Sequence, residues 1–470
     1  MKKLVSLLSI VALGSSLLAA NATYYASPTG LSTATCTIDD PGTIQAAINK
    51  TAAGTSWANG DTVILLPGTY DFTATATQSD SNTSGQKTYN IAAGKNYITI
   101  KSLNENPSEV IIQGGGESAG SASAFCLRNS ISKIIGLTIT NFYAHTGAAV
   151  NSTSYDPQTT IDKCIIVGNY GTKNGVTAYC NAYNSYFLSN TATSANGGVL
   201  STYNSAKGLS TNCVIIGNSC YDIIRRMALK DCVISNNTAS RSIVYNDSAC
   251  NIHSCIFTDN TIGGYIVLRA NMYDSVIKNN NATAASTISG LGNVNTYRCL
   301  IKNNKGRYCV GENSTLKNCL IIKNHSEGGN SYGISNKTSY DNCTFISNSV
   351  SGTTILFSTL YATRNCIFYN NSPVDLQNNG NFQNVIYYKY VNSPNRTNCI
   401  RSNDPGFNFG RRPDFPWYSL KINSIARDKG LALSWITNDL DYAMSKRLNG
   451  TVDIGCYEFW PRHGLNFMVH

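Results

Sequence analysis

The sequence predicts an all-β chain wound as a parallel β-helix solenoid, with a short N-terminal capping helix. Three observations predict it. The pattern Cys-x-[Ile/Phe]-x-x-Asn recurs about once every 22 residues, a period that marks a solenoid. Each copy ends in an Asn-rich turn signal. Short β-branched runs, such as Gly175 to Ala178, Ser242 to Tyr245 and Thr353 to Phe357, fill the intervals between copies.

The elements follow in chain order. Met1-Lys2-Lys3 and the apolar run Leu4 to Ala20 have the layout of a secretory signal peptide, with Ala20-Asn21-Ala22 as its small-x-small cleavage site. Thr43 to Ile48 has apolar residues at helical spacing after Asp-Pro-Gly and reads as an amphipathic helix closing the rod. An open solenoid end exposes unpaired strand edges and has to be capped. Gly60 to Tyr70 is a strand with a Pro-Gly turn, and Tyr97 to Lys101 and Val110 to Gln113 continue the stack. The expected divisions are 1–22 (signal), 23–95 (cap and first strands), 96–400 (β-helix) and 401–470 (closing segment).

The repeat proper begins at Cys164 and returns at Cys213, Cys232, Cys255, Cys299, Cys319, Cys343 and Cys366, with Ser185 and Ser275 holding the same frame. The Cys and the Ile or Phe are two residues apart, so they share one side of a strand and face inward. The Asn three positions further on is a turn signal, because Asn tolerates left-handed backbone angles. Buried amides need partners, so these Asn side chains are expected to bond from coil to coil. Each coil is expected to hold two or three short strands, stacked at about 4.8 Å. A leucine-rich repeat has a similar period, but the return segments here are poor in Leu and rich in Asn, Ser, Thr, Gly and Tyr.

Sixteen cysteines in an exported chain suggest disulfides. Stacked ladder positions have parallel Cα–Cβ vectors, whereas a disulfide wants converging ones about 3.8 Å apart at Cβ. Mostly unbonded ladder thiols are therefore expected. Cys36, Cys126, Cys180, Cys220, Cys250, Cys309, Cys399 and Cys456 lie off the ladder and are better disulfide candidates. Without a Cys-x-x-Cys pair, zinc is not expected.

The repeat, with Phe187-Leu-Ser-Asn190 and Gly197-Gly-Val-Leu200, resembles the right-handed parallel β-helix proteins of the pectin-lyase-like superfamily and the polymorphic outer-membrane adhesins. Ser424 to Gly430, Asp439-Leu-Asp441 and Thr451 to Phe459 resemble the closing region of exported bacterial proteins of the choice-of-anchor Q type, with Cys456 where that region usually has Ala. The resemblance implies a right-handed winding and a secreted or cell-surface location. Asp439, Asp441 and Asp453 read as turn and cap residues; a calcium site there is the alternative, and no other cofactor is expected.

Charge and motifs bound the chemistry. The formal net charge is +10, and two of the positive residues belong to the signal segment. A positive exported protein suits an acidic polysaccharide or cell-surface glycan. The absence of a basic run argues against nucleic acid. No run after the signal reaches 18 apolar residues, so no transmembrane span is expected in the mature chain. Polygalacturonase-type Asn-Thr-Asp and Gly-His-Gly motifs are absent, as is the Arg-x-x-Pro-x-x-Arg element of many pectate lyases. The least ordinary cluster is basic. Arg226 and Arg269 each lie six residues before a ladder position, two coils apart, with Lys230 beside them. On one face they would stand about 10 Å apart and suit two uronates or sulfates of one glycan. Three readings stay open: non-catalytic glycan binding or adhesion at the surface, a polysaccharide lyase acting on an acidic glycan by β-elimination, and a purely structural rod.

Overall fold

The computed structural model describes residues 21–459 except 75–77, 81–86, 128–130, 153–158, 203–207, 283–289, 328–332, 352–359, 376–380, 390–394, 409–417, 437–440 and 442–449. Most of the expected signal segment, the run Thr353 to Phe357 and Asp439 lie outside the described residues.

Strand alternation explains why the chain coils. Every ladder position from Cys164 to Cys366 is buried, and so is every partner two residues on, from Ile166 to Phe368. These inward columns form a single core that runs the length of the rod. Phe345 and Phe368 stack there with ring centroids 4.5 Å apart. All pairings along the repeat are parallel, and such parallel crossovers wind into a right-handed β-helix.

The best-formed coils hold four short strands, where two or three were expected. In one coil they are Cys180–Tyr183, Tyr186–Leu188, Thr191–Ala192 and Leu200–Ser201, hereafter the first, second, third and fourth strands. The division comes from single left-handed residues on either side of the second strand. Asn184 (φ 48°) and Ser189 (φ 50°) do this here, and Asn342 (φ 51°) and Ser347 (φ 52°) do so seven coils further on the same frame. The left-handed residue is therefore not the ladder Asn, as the turn signal implied, but its predecessor. Asn, Asp, Ser and Gly gather at these corners because they accept positive φ at least cost. The second strands stack into a 15-stranded parallel sheet of their own. Elsewhere strands fuse: Ser219–Arg225 runs through without a left-handed residue, and Tyr265–Tyr273 continues across the left-handed Arg269.

The ladder Asn residues turn inward and bond coil to coil, as expected. From Asn169 to Asn371, each Nδ2 donates to Oδ1 of the next rung at 2.9–3.2 Å. Asp375 accepts from the last of them at 3.0 Å. All ten are buried.

At the N-terminal end, helix α1 (Ile44–Lys50) forms where predicted. Thr43 caps it by accepting from the Ala46 N–H at 3.1 Å, and Ile44, Ala47 and Ile48 face the core. The described part of the 401–459 stretch does not simply close the far end. It lies against the outer side of the second strands. There Phe407, Leu420, Ala426, Ile454, Cys456 and Tyr457 cover the outward residues Leu320, Ile322, Ile346, Ile367 and Ile386. Hydrogen bonds fix it: Gly455 N–H donates to Asn365 O at 2.8 Å, and the Asn365 side-chain Nδ2 donates to Leu431 O at 2.8 Å.

All sixteen cysteines are thiols. Fifteen are buried and Cys399 is half-buried. The off-ladder cysteines, expected to be the better disulfide candidates, are not joined either. Ladder thiols donate to the carbonyl two residues back, as from Cys232 Sγ to Lys230 O at 3.2 Å. Burial pushes the Cys164 thiol up to about 12.

Candidate functional site

The outward face of the first strands carries all three basic residues singled out in the sequence. In Met227–Lys230 alternation buries Met227 and Leu229 and leaves Lys230 exposed. Arg226 (φ 58°) and Arg269 (φ 59°) occupy the left-handed corner before that strand in their coils. Arg225 pairs with Tyr245, and Tyr245 with Leu268, so Arg226 and Arg269 share one column two rungs apart, roughly 10 Å by strand spacing. The rung between them holds Asn246, whose buried side chain accepts from the Met227 N–H at 3.0 Å. Arg269 is exposed and Arg226 is half-buried.

Lys230 is not beside the arginines. It stands at the other edge of the face, four residues along the strand from Arg226, or roughly 13 Å. Its rung partner is His253. From there three rings stack outward along the axis: His253 on Tyr273 at 4.6 Å and 8°, then Tyr273 on Tyr297 at 5.0 Å and 7°. Lys317 follows, with Nζ 5.5 Å from the Tyr297 ring centroid. Between the two edges runs an exposed amide row. Asn271 Nδ2 donates to Asn251 Oδ1 at 3.2 Å, and Asn295 Nδ2 to Asn271 Oδ1 at 3.0 Å. The face is thus an Asn strip edged by an Arg column on one side and a Lys-ring-Lys column on the other.

Sequence reasoning missed the ring column and the amide row. Their signal was present, since the residue two before each ladder position is Lys230, His253, Tyr273, Tyr297 and Lys317 in successive coils. The rings stand out only when the copies are aligned on the Cys.

Two carboxylates near the face are committed. Asp274 is held by Arg298 of the next coil, with Nε to Oδ1 at 2.6 Å and Nη2 to Oδ2 at 3.1 Å, and not by Arg269. Asp341 receives Arg364 at 2.7 and 2.8 Å and the Trp435 indole N–H at 3.2 Å. Trp435 also lies 4.6 Å from Lys317 Nζ, so the folded-back segment reaches the end of the ring column. Such carboxylates orient cations and are poor bases.

Asp453 accepts the Asp428 N–H at 2.7 Å and the Phe459 N–H at 2.6 Å, and Asp441 accepts the Glu458 N–H at 2.8 Å. Both act as turn and cap residues. Among the described residues no three His, Cys, Asp or Glu side chains gather into a metal cluster. Among them, too, no helix is long and apolar enough to cross a membrane.

No family model matches the chain, and no curated protein matches it. Solved structures with a similar fold include a pectate lyase, at 15% identity over 93% of this chain and 96% of that one, with a TM-score of 0.30. The A-module of a mannuronan C-5 epimerase from Azotobacter vinelandii matches at 14% identity over 76% and 95%, TM-score 0.30. A surface protein and adhesin of Streptococcus pneumoniae matches at 9% identity over 65% and 92%, TM-score 0.30. These likenesses concern the fold alone.

Proposed function

We propose that this is an exported β-helix of the bacterial surface or medium that binds an acidic glycan without cleaving it. The observation that carries the reading is the flat outward face of the first strands. Its two arginines share a column at two-rung spacing, and an amide row separates them from the ring column that Lys230 and Lys317 flank. A planar guanidinium suits carboxylate or sulfate with two bonds, and the repeated rungs match a repeated ligand. Asp274 and Asp341 are tied to Arg298, Arg364 and Trp435, which favours binding over β-elimination. Export through residues 1–22, the divisions at 95 and 400 and the surface attachment belong to the same proposal.

The test combines two measurements. Binding of polygalacturonate and a sulfated glycan to the full chain is compared with that of the Arg226→Ala/Arg269→Ala variant at low and physiological salt. Absorbance near 235 nm follows unsaturated products in the same samples. The reading expects salt-sensitive binding that falls at least tenfold in the variant, with no product. Product formation would instead establish the lyase, and equal binding by the two proteins would remove the site.

A further inference from the structure

The third strands present a different outward surface on the same rod. Their leading column runs Tyr143, Tyr170, Thr191, Ser219, Thr238 and Thr261 in register. The rings of Tyr143 and Tyr170 stack at 5.2 Å and 21°. The column then drops from two large rings to four small hydroxyl residues. A parallel column two residues on runs Thr193, Tyr221, Ser240 and Gly263, small but for the Tyr221 ring. The small residues of the two columns leave a groove of about 500 Å³ across four coils. Gly263 lets its coil stack closely on the one before, since a Cβ there would meet the Ser240 carbonyl oxygen at 2.1 Å.

One wall is held rigid. The Arg241 guanidinium lies 4.7 Å from the Tyr221 ring centroid and 3.8 Å from that of Tyr245. Its Nε donates to Asp222 Oδ1 at 2.9 Å, and Nη2 donates to Oδ2 of the same carboxylate. Asp222 is fully buried, and Arg225 approaches it at 3.9 Å from the buried side. Breaking this pair would strand a buried charge, so Arg241 cannot swing away, and the Tyr221 ring is fixed against it.

We infer that this groove is a second binding site and that its ligand is an extended neutral polysaccharide. Its lining is uncharged, because the nearby guanidinium is committed to Asp222. Hydroxyls recur along it at the coil spacing of about 4.8 Å, comparable to one pyranose unit of an extended chain. Aromatic surface stands where a sugar ring would stack, at Tyr221 in the wall and at Tyr170 on the rung before the groove. The site does not depend on the first-strand face, which selects for negative charge.

Titration of the full chain with cello-, xylo- and manno-oligosaccharides, followed by calorimetry, tests the inference. At least one series should bind, with an affinity unchanged between low and physiological salt. Ser240→Trp fills the groove at an exposed position and should weaken that binding at least tenfold, while Tyr221→Phe should keep it. Polygalacturonate binding should be the same in Ser240→Trp as in the parent, and the Arg226→Ala/Arg269→Ala variant should bind the neutral ligand normally. Absence of binding by all three series, or full binding by Ser240→Trp, would overturn the inference and leave the acidic-glycan reading intact. Loss of acidic binding alone would do the reverse.

Discussion

The outer side of the second strands divides into two regions that share a repeat position but not a fate. Toward the C-terminal end, Leu320, Ile322, Ile346, Ile367 and Ile386 are buried under the folded-back segment. Toward the N-terminal end, the same columns carry Ile165, Tyr186, Val214, Val233 and Ile256 in register, and these face outward uncovered. Tyr186 is 47% exposed and Ile256 is 36% exposed, against 0% for Ile367. Equivalent positions in equivalent coils thus range from half-buried or exposed at one end to fully covered at the other. A solenoid position determines which way a side chain points, and a segment distant in sequence decides whether it meets water.

One substitution placed at three sites sharpens this contrast. Phe257→Asp, inside the rod, should give the largest effect and abolish cooperative folding, because an unpaired charge would enter a core with no room to hydrate it. Ile367→Asp, outside the rod but covered, should cost on the order of 3 kcal/mol and release the segment rather than the coils. Limited proteolysis should then cut the 401–459 stretch while the rod survives. Ile256→Asp, at the bare end, should shift stability by only about 0.5 kcal/mol in urea unfolding. Equal losses at Ile367 and Ile256 would dissolve the distinction.

Thiol chemistry reads the same boundary. Cys164 stays protonated and inaccessible in native protein at pH 8, because burial pushes it up to about 12. Native alkylation, mapped by mass spectrometry, should therefore spare it and begin at half-buried Cys399. Cys456 sits under the segment contact, so Ile367→Asp should make it reactive while leaving Cys164 unchanged.

The smallest effect concerns pH. Burial raises Asp375 above the ordinary carboxylate range, although its N–H donors pull the other way. The native state then binds this proton more tightly than the unfolded chain does. The Asp375 contribution is therefore full below the unfolded value, about 3.9, and declines as pH rises from there through the folded value. Asp375→Asn should flatten that decline in thermal melts taken across the acid range.

Much of this fold was readable because a repeat states its inward positions many times. Cys164 and Ile166 gave the core columns, Asn169 gave the amide ladder, and Thr43 with Ile44 and Ile48 gave the cap. The four-strand coil was harder to read, because it depends on single left-handed residues such as Asn184 and Ser189, whose types also occur in strands and loops here. The site was legible in part. Arg226 and Arg269 do share a column, because both kept a fixed offset from the ladder. Lys230 was misplaced because sequence proximity says little when four residues of extended chain cross a whole face. The folded-back segment left no periodic trace, since Ile454 and Tyr457 meet partners about a hundred residues away.

The amide ladder has a polarity. One Nδ2 hydrogen of every rung points toward the C-terminal end while the other returns to a carbonyl of the preceding coil, and every Oδ1 faces the N-terminal end, so the ten amides form one directed chain of hydrogen bonds. The oxygen end, at Asn169, receives the Phe142 N–H at 3.0 Å. The hydrogen end meets the Asp375 carboxylate, which also accepts the Tyr388 and Lys389 N–H groups at 2.9 and 3.0 Å. An eleventh Asn at that place would have left an amide hydrogen pointing onward with nothing to receive it. A carboxylate can only accept, so it is the residue type that ends such a row. Coils can be inserted within the ladder without disturbing it, whereas moving its end requires moving the acid.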